Sequence, residues 1–246
     1  MEFLFQKNGN SMDTILTKEY IEALGYEVSE VSHRIFIIKN FLKPEEIKEF
    51  LNQVNDAEEE EWTFHYMEGV MELARLKFGR DDIDNLIEEG LYQITYNWND
   101  KNLKIKNWKL AKKIDMRAQE IFNFRDDLNF NGCGTIQRQY DGVPLKSHVD
   151  NHTDNSLEYA AVFYLNDNYV DGEVFFVDQD IQLRPEPGDA LIFPAIDGWE
   201  HGVNAPGPGP HRYVIPTFIS RKDFWKINED NGYNVDKTLE DTNFKE

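Results

Sequence analysis

His148 and Asp150 set an imidazole and a carboxylate two residues apart. In an extended segment, residues i and i+2 project to the same face, so both groups could reach one metal ion. A third ligand must come from elsewhere, and His201 is the candidate. Two imidazoles and one carboxylate on one octahedral face leave three positions open, a donor set that suits non-haem ferrous iron. A bidentate cosubstrate would fill two of those positions and O2 the last. A His-x-Asp triplet arises often by chance, so its weight depends on what accompanies it.

Arg212 follows His201 and opens an apolar run from Tyr213 to Phe218. Its guanidinium is a planar fork that grips a carboxylate bidentately. At the end of a barrel strand it would suit the far carboxylate of a dicarboxylic acid. A turn at Pro185 to Asp189 precedes the run Ala190 to Pro194 that leads towards His201, and Asp171-Gly172 makes another tight turn. His148 and His152 also stand at i and i+4, a zinc-chelating spacing on a helix. The glutamate of the hydrolytic HExxH motif is missing, however, and the stretch reads as strand and loop. A zinc hydrolase is therefore the weaker reading.

The elements that must position these groups come in three zones. In residues 1 to about 60, Arg34 to Lys39 read as a strand. A helix follows, with Pro44 at its first position, Glu45 and Glu46 behind it, and Ile47, Phe50, Leu51 and Val54 on one face. Glu58 to Glu61 read as a solvated loop or helix end. Residues 62 to about 130 read as mainly helical, with a stripe of Trp108, Ala111, Ile114, Ala118, Ile121 and Phe122. Asp81 to Trp98 is ambiguous between helix and strand. From Gly132 short β-rich runs alternate with turn clusters: Thr135–Tyr140, Tyr159–Leu165, Glu173–Val177, Ile181–Arg184, Ala190–Pro194 and Tyr213–Ser220. Such a pattern is that of a sandwich or barrel. Pro216 inside the last run removes a ladder donor and predicts a bulge or an edge. The residues after Lys222 form a polar, acidic tail.

The chain of 246 residues carries 46 acidic and 26 basic side chains, a formal net charge of −20. A surface this acidic repels phosphate backbones and anionic membranes, since nucleic-acid binding requires Lys and Arg to replace counterions. It would attract a basic peptide, although solubility alone explains it. The one cysteine, Cys133, cannot form an intramolecular disulfide. The start of the chain lacks a signal-peptide pattern and no run reaches a membrane-spanning length. These features predict a soluble cytoplasmic or otherwise intracellular protein of one domain over 1–246: N-terminal support (1–131), a catalytic core (132–222) and a tail (223–246).

Residues from about 132 to 221 resemble the prolyl-4-hydroxylase-type branch of the Fe(II)/2-oxoglutarate dioxygenases. The resemblance rests on His148 and Asp150, Gly172-Glu173, the Pro185 to Asp189 turn, His201 and Arg212. It implies an α+β chain with a mainly β core, a double-stranded β-helix or jelly roll with N-terminal helices packed on it. It implies Fe(II) on His148, Asp150 and His201, with 2-oxoglutarate as cosubstrate, its far carboxylate on Arg212, O2 as oxidant and ascorbate as an optional reductant. Tyr140 and Tyr164 match tyrosines that lie close to the cosubstrate in family members, though either could equally serve core packing with a satisfied hydroxyl. The gap between His201 and Arg212, with its Pro206 to Pro210 stretch, makes His211 a competing alignment; Arg212 is favoured because histidine offers no permanent charge. Oxidative decarboxylation to succinate and CO2 would accompany hydroxylation of a C–H bond. The presence of Asp150 disfavours the halogenating variant. The implied substrate is a peptidyl proline or a similar peptide, protein or amino acid. Nucleic-acid demethylation is disfavoured because Arg212 to Phe218 lacks the asparagine of that branch's signature. A non-catalytic jelly-roll module is the remaining alternative. The primary substrate, the oligomeric state and the role of residues 55–130 are not legible in the sequence.

Overall fold

Apolar side chains on alternate faces of the central strands build the frame of the molecule. The computed structural model describes residues 15–64, 101–139, 142–152 and 155–222. Among these, a large sheet runs in the order β1 (Val28–Ser32), β2 (Ile35–Ile38), β11 (Ala190–Pro194), β8 (Leu157–Tyr164), β13 (Arg212–Arg221), β6 (Thr135–Gln139), β4 (Lys101–Lys104) and β3 (Trp62–Phe64). The short β5 (Leu128–Phe130) also pairs with β13. A smaller sheet has the order β10 (Ile181–Leu183), β9 (Val174–Phe176), β12 (His201–Val203), β7 (Leu145–His148). The pairings are antiparallel.

The large sheet is buried on both sides. Ile35, Ile37, Ala160, Tyr164, Leu191, Phe193 and Val214 point towards the small sheet and pack with Val174, Phe176 and Val203. Their neighbours Phe36, Ile38, Ala161, Phe163, Ile192 and Ile215 point the other way, into a core shared with the helices. That period of two explains why β2 and β11 are apolar at every position. The architecture is the expected double-stranded β-helix, with helices on the outer face of the large sheet.

Among the described residues, three helices supply that outer layer: α1 (Lys18–Ala23), α2 (Pro44–Asp56) and α3 (Trp108–Phe122). Pro44 opens α2 as expected. The Glu46 carboxylate accepts the Lys43 backbone N–H at 2.9 Å and both Arg117 terminal nitrogens at 3.1 and 2.7 Å, which pins α2 to α3. Burial raises the Glu46 pKa, but the bonds from Arg117 and the Lys43 N–H outweigh it, and the net shift is downward. Stability from this group is present above the ordinary carboxylate range and lost as pH falls through the lowered value. Glu46→Gln should therefore cost about 2 kcal/mol near neutral pH, because Arg117 loses a largely buried counter-charge. In thermal melts, the gap to the wild type should close as the pH drops below about 4.

Several sequence expectations need correction here. Trp108, placed on the core stripe of α3, is 60% exposed; the buried stripe is Ala111, Ile114, Ala118, Ile121 and Phe122. The zone read as mainly helical also contributes β3, β4 and β5, strands of three or four residues, too short to establish a period of two. β3 and β4 hold their place through pairing onto β6, and β5 through β13. Within the acidic run, Glu59 is not merely solvated. It bonds Lys101 at 2.5 Å and Arg138 at 2.8 Å, and these bonds pull its pKa down to about 2. Pro216 lies in a central strand opposite Val162, but β6 pairs with β13 only as far as Val214 and β5 only from Ile219. On that side β13 is locally an edge, as a strand proline requires. Residues 65–100, including the ambiguous Asp81 to Trp98, and the acidic tail lie outside the described residues. Among the described residues, no helix is long and apolar enough to cross a membrane.

Candidate active site

His148 is the last residue of β7 and His201 the first of β12, and the two strands pair with these residues opposite each other. The register then slips: Val203 faces Leu145, so Lys146 and Ser147 together oppose Gly202. Such a bulge bends the strand and re-aims its side chains. A Cβ on Gly202 would stand 2.5 Å from the Phe175 ring and 2.6 Å from the Leu145 carbonyl, so only glycine fits beside His201. Asp150 was expected in the same strand as His148. It instead opens a 3-10 turn, Asp150–His152, anchored by the Asn151 N–H donating to the Ala195 carbonyl at 2.9 Å. The strand end and the turn together bring the carboxylate round to the imidazoles.

The three side chains converge. One ligand atom from each of His148, Asp150 and His201 lies within 4.8 Å of the others. His148 Nε2 is 3.3 Å from Asp150 Oδ1, and His201 Nε2 is 3.8 Å from Asp150 Oδ2. Each imidazole turns Nδ1 to a backbone carbonyl, His148 to Lys146 at 2.9 Å and His201 to Trp199 at 3.2 Å. A carbonyl can only accept, so Nδ1 carries the proton and Nε2 presents its lone pair to the centre. Two lone pairs and a carboxylate aimed at one point require positive charge among them. Without a metal, a proton partly serves. Burial disfavours the charged form of His148, but Asp150 outweighs it and raises the pKa. Burial holds the pKa of His201 down despite Asp150, which keeps it in the neutral form that ligates metal. The donor set and the carbonyl partners therefore fit a ferrous ion.

Aromatic rings hold His201 in place. Phe193 meets it edge-on at 4.5 Å and Phe176 lies 5.7 Å away. Trp199, whose carbonyl accepts from His201, is itself clamped: its indole N–H donates to the His33 carbonyl at 3.2 Å, and the Arg34 guanidinium lies 4.9 Å from its ring. Trp199→Ala should loosen the segment and weaken Mn(II) binding about tenfold, as loss of an outer-shell partner does. Titration by calorimetry checks this, and Trp199→Phe, which keeps the ring, should lose less.

The other wall of the cleft is cationic. Arg212 begins β13 and is buried. Its terminal nitrogens donate to Gln139 Oε1 at 3.3 Å and to the Tyr164 hydroxyl at 3.1 Å. His211, the competing candidate, stays half-buried and gives its backbone carbonyl to Asn166. One cavity between the sheets is lined by His148, Asp150 and His201 on one side and by Arg212, Tyr164 and Gln139 on the other. Burial raises the pKa of Tyr164 further, so it remains a neutral hydroxyl beside the guanidinium. Tyr140 lies outside the described residues, as does the side chain of His152. Because β7 ends at His148, the backbone offers no helical i, i+4 pair for the zinc reading. Gln139 was not anticipated; a glutamine in the strand Thr-Ile-Gln-Arg-Gln carries no signal until its partner is known.

This geometry can be set beside known proteins. Residues 135–220 match the 2OG-Fe(II) oxygenase superfamily. The chain carries a 2OG-Fe(II) oxygenase domain. The matched segment runs from β6 to β13 and includes every residue just described on the two walls of the cleft. No curated protein sequence matches the chain. Among solved structures, the oxygenase resembles a Pseudomonas putida prolyl-4-hydroxylase (TM-score 0.54, 14% identity, covering 82% of this chain and 97% of the other). It also resembles the viral collagen prolyl hydroxylase of Paramecium bursaria Chlorella virus-1 in its 2OG complex (0.52, 16%, 77% and 97%). A third is a Trichoplax adhaerens prolyl hydroxylase in complex with a hypoxia inducible factor peptide fragment (0.52, 17%, 80% and 87%). At these identities the likeness is one of fold.

Proposed function

We propose that this oxygenase hydroxylates a C–H bond of a peptidyl proline, or of a similar peptide or amino-acid substrate, with release of succinate and CO2. The observation that carries the reading is the convergence of His148, Asp150 and His201 on the wall of a cleft whose opposite wall presents the buried Arg212. Ferrous iron with 2-oxoglutarate and O2 supplies the oxidising chemistry when bound. His148, Asp150 and His201 would hold the metal through one face and leave the rest of its sphere to cosubstrate and oxidant. Arg212 would grip the far carboxylate of 2-oxoglutarate, and the Tyr164 hydroxyl, already bonded to that guanidinium, would orient it. The apolar lining from Val162, Val174 and Phe218 keeps water from the reacting centre. Peptidyl proline is preferred for its agreement with what the structural neighbours are named for.

The reading takes residues 132–222 as the catalytic core and the helices before it as support. Its test is a panel of proline-containing peptides and free amino acids incubated with Fe(II), 2-oxoglutarate and ascorbate. Succinate and the mass gain of one oxygen atom are measured together. Coupled formation of both supports the reading; a zinc hydrolase or a non-catalytic module would form neither. Mn(II) plus 2-oxoglutarate should also raise the melting temperature. At a hundred times the dissociation constant, linkage supplies about 2.7 kcal/mol, roughly 5–10 °C for a chain of this size. An unchanged melt would count against a preformed site.

A further inference from the structure

Among the described residues, the acidic chain carries a groove rich in lysine. It runs along the solvent face of α3 and against Lys43 at the start of α2, where Trp108, Lys109, Lys112, Lys113 and Met116 line a shared depression, with Arg117 and the acidic Glu120 towards the end of α3. Trp108 is 60% exposed and Met116 65%, two of the few large apolar side chains left open to water among the described residues. The acidic residue within this stretch, Asp115, turns away to accept the Cys133 N–H at 2.8 Å. Lys113 reaches the Glu46 carboxylate at 3.9 Å, whereas Lys109 and Lys112 face solvent. Helix stability does not account for them, because cations in the first turns oppose the helix dipole. Nor does the cleft: α3 packs on the face of the large sheet that points away from it.

We propose that this groove docks an acidic peptide segment of a partner protein, its carboxylates on Lys109 and Lys112 and an apolar side chain against Trp108 or Met116. Charge complementarity selects the class and the dimensions narrow it. Trp108 and Met116 are separated by about 12 Å along the helix, which about four extended residues span. At physiological salt charges are screened beyond about 8 Å, so a short acidic segment seated at the Trp108 end feels Lys109 and Lys112 more than the distant acidic surface. A nucleic acid or an anionic bilayer extends past the patch onto a surface whose net charge is −20 and is repelled there. The proposal stands apart from the hydroxylation reading, since it concerns the far side of the large sheet.

The test uses the full chain and a fluorescein-labelled hexapeptide alternating glutamate and leucine, read by fluorescence anisotropy. Saturable binding is expected, weakened at about 0.5 M salt by screening. The Lys109→Glu/Lys112→Glu variant should lose at least about tenfold in affinity, and Trp108→Ala should also weaken it. A milder Lys109→Gln/Lys112→Gln pair guards against misfolding and should show a smaller loss in the same direction. Succinate formation from a small substrate should be unchanged in all three. Absence of saturable binding, equal binding by wild type and variants, or tighter binding of a single-stranded oligonucleotide or phosphatidylserine vesicles would overturn the proposal.

Discussion

Asp150→Ala and His148→Ala should each abolish succinate formation and weaken Mn(II) binding by more than about 100-fold, since loss of an outer-shell partner alone costs 10–100-fold. The expectation follows from the geometry. Asp150 reaches towards both imidazoles, with Oδ1 3.3 Å from His148 Nε2 and Oδ2 3.8 Å from His201 Nε2. Removing it leaves two neutral donors and no negative charge to hold a dication. A ligand role separates from a structural one in thermal melts. Without metal, Asp150→Ala should melt within a few degrees of the wild type, because the carboxylate is itself a costly buried charge. With Mn(II) and 2-oxoglutarate the upward shift should vanish. Retention of that shift and of turnover in both variants would remove these residues from the metal.

Arg212→Ala has the second largest expected effect, in a different quantity. Two charge-assisted bonds to a carboxylate are worth about 3 kcal/mol together, so the 2-oxoglutarate concentration for half-maximal turnover should rise roughly 100-fold. Metal affinity measured without cosubstrate should not change, since Arg212 stands on the opposite wall from the triad. Arg212→Lys keeps the charge but not the fork and should fall between. An unchanged cosubstrate requirement would move the carboxylate-binding role to another cation.

The candidate metal ligands and the arginine facing them were legible because their chemistry is uncommon and their order along the chain constrains it: His148 and Asp150 close together, His201 after a turn and strand, Arg212 at the start of the next. What could not be read is how backbone irregularity delivers them. The bulge opposite Gly202 and the 3-10 turn at Asp150 arise from pairing between β7 and β12, strands far apart in sequence. Gln139 becomes meaningful only when β6 lies beside β13 and sets it against Arg212. β8, β11 and β13 were legible because burial on both faces gives them nearly continuous apolar runs, whereas the three-residue β12 at His201 was not read as a strand. β3 and β4 were not legible, because Trp62 to Phe64 is too short to show a period, Lys101 to Lys104 is largely polar, and both depend on a neighbour's edge. Trp108 shows the limit of periodicity: its spacing belongs to the apolar stripe of α3, yet at the first turn the helix has already left the core.

The account rests on a single cation held by three side chains. An anomalous-scattering map from crystals grown with Mn(II) and 2-oxoglutarate tests it most directly. One strong peak should lie among His148 Nε2, His201 Nε2 and the Asp150 carboxylate, each at about 2.0–2.3 Å as such ligands bind. A map with no peak there, or with the manganese on other residues while these three point elsewhere, would contradict it.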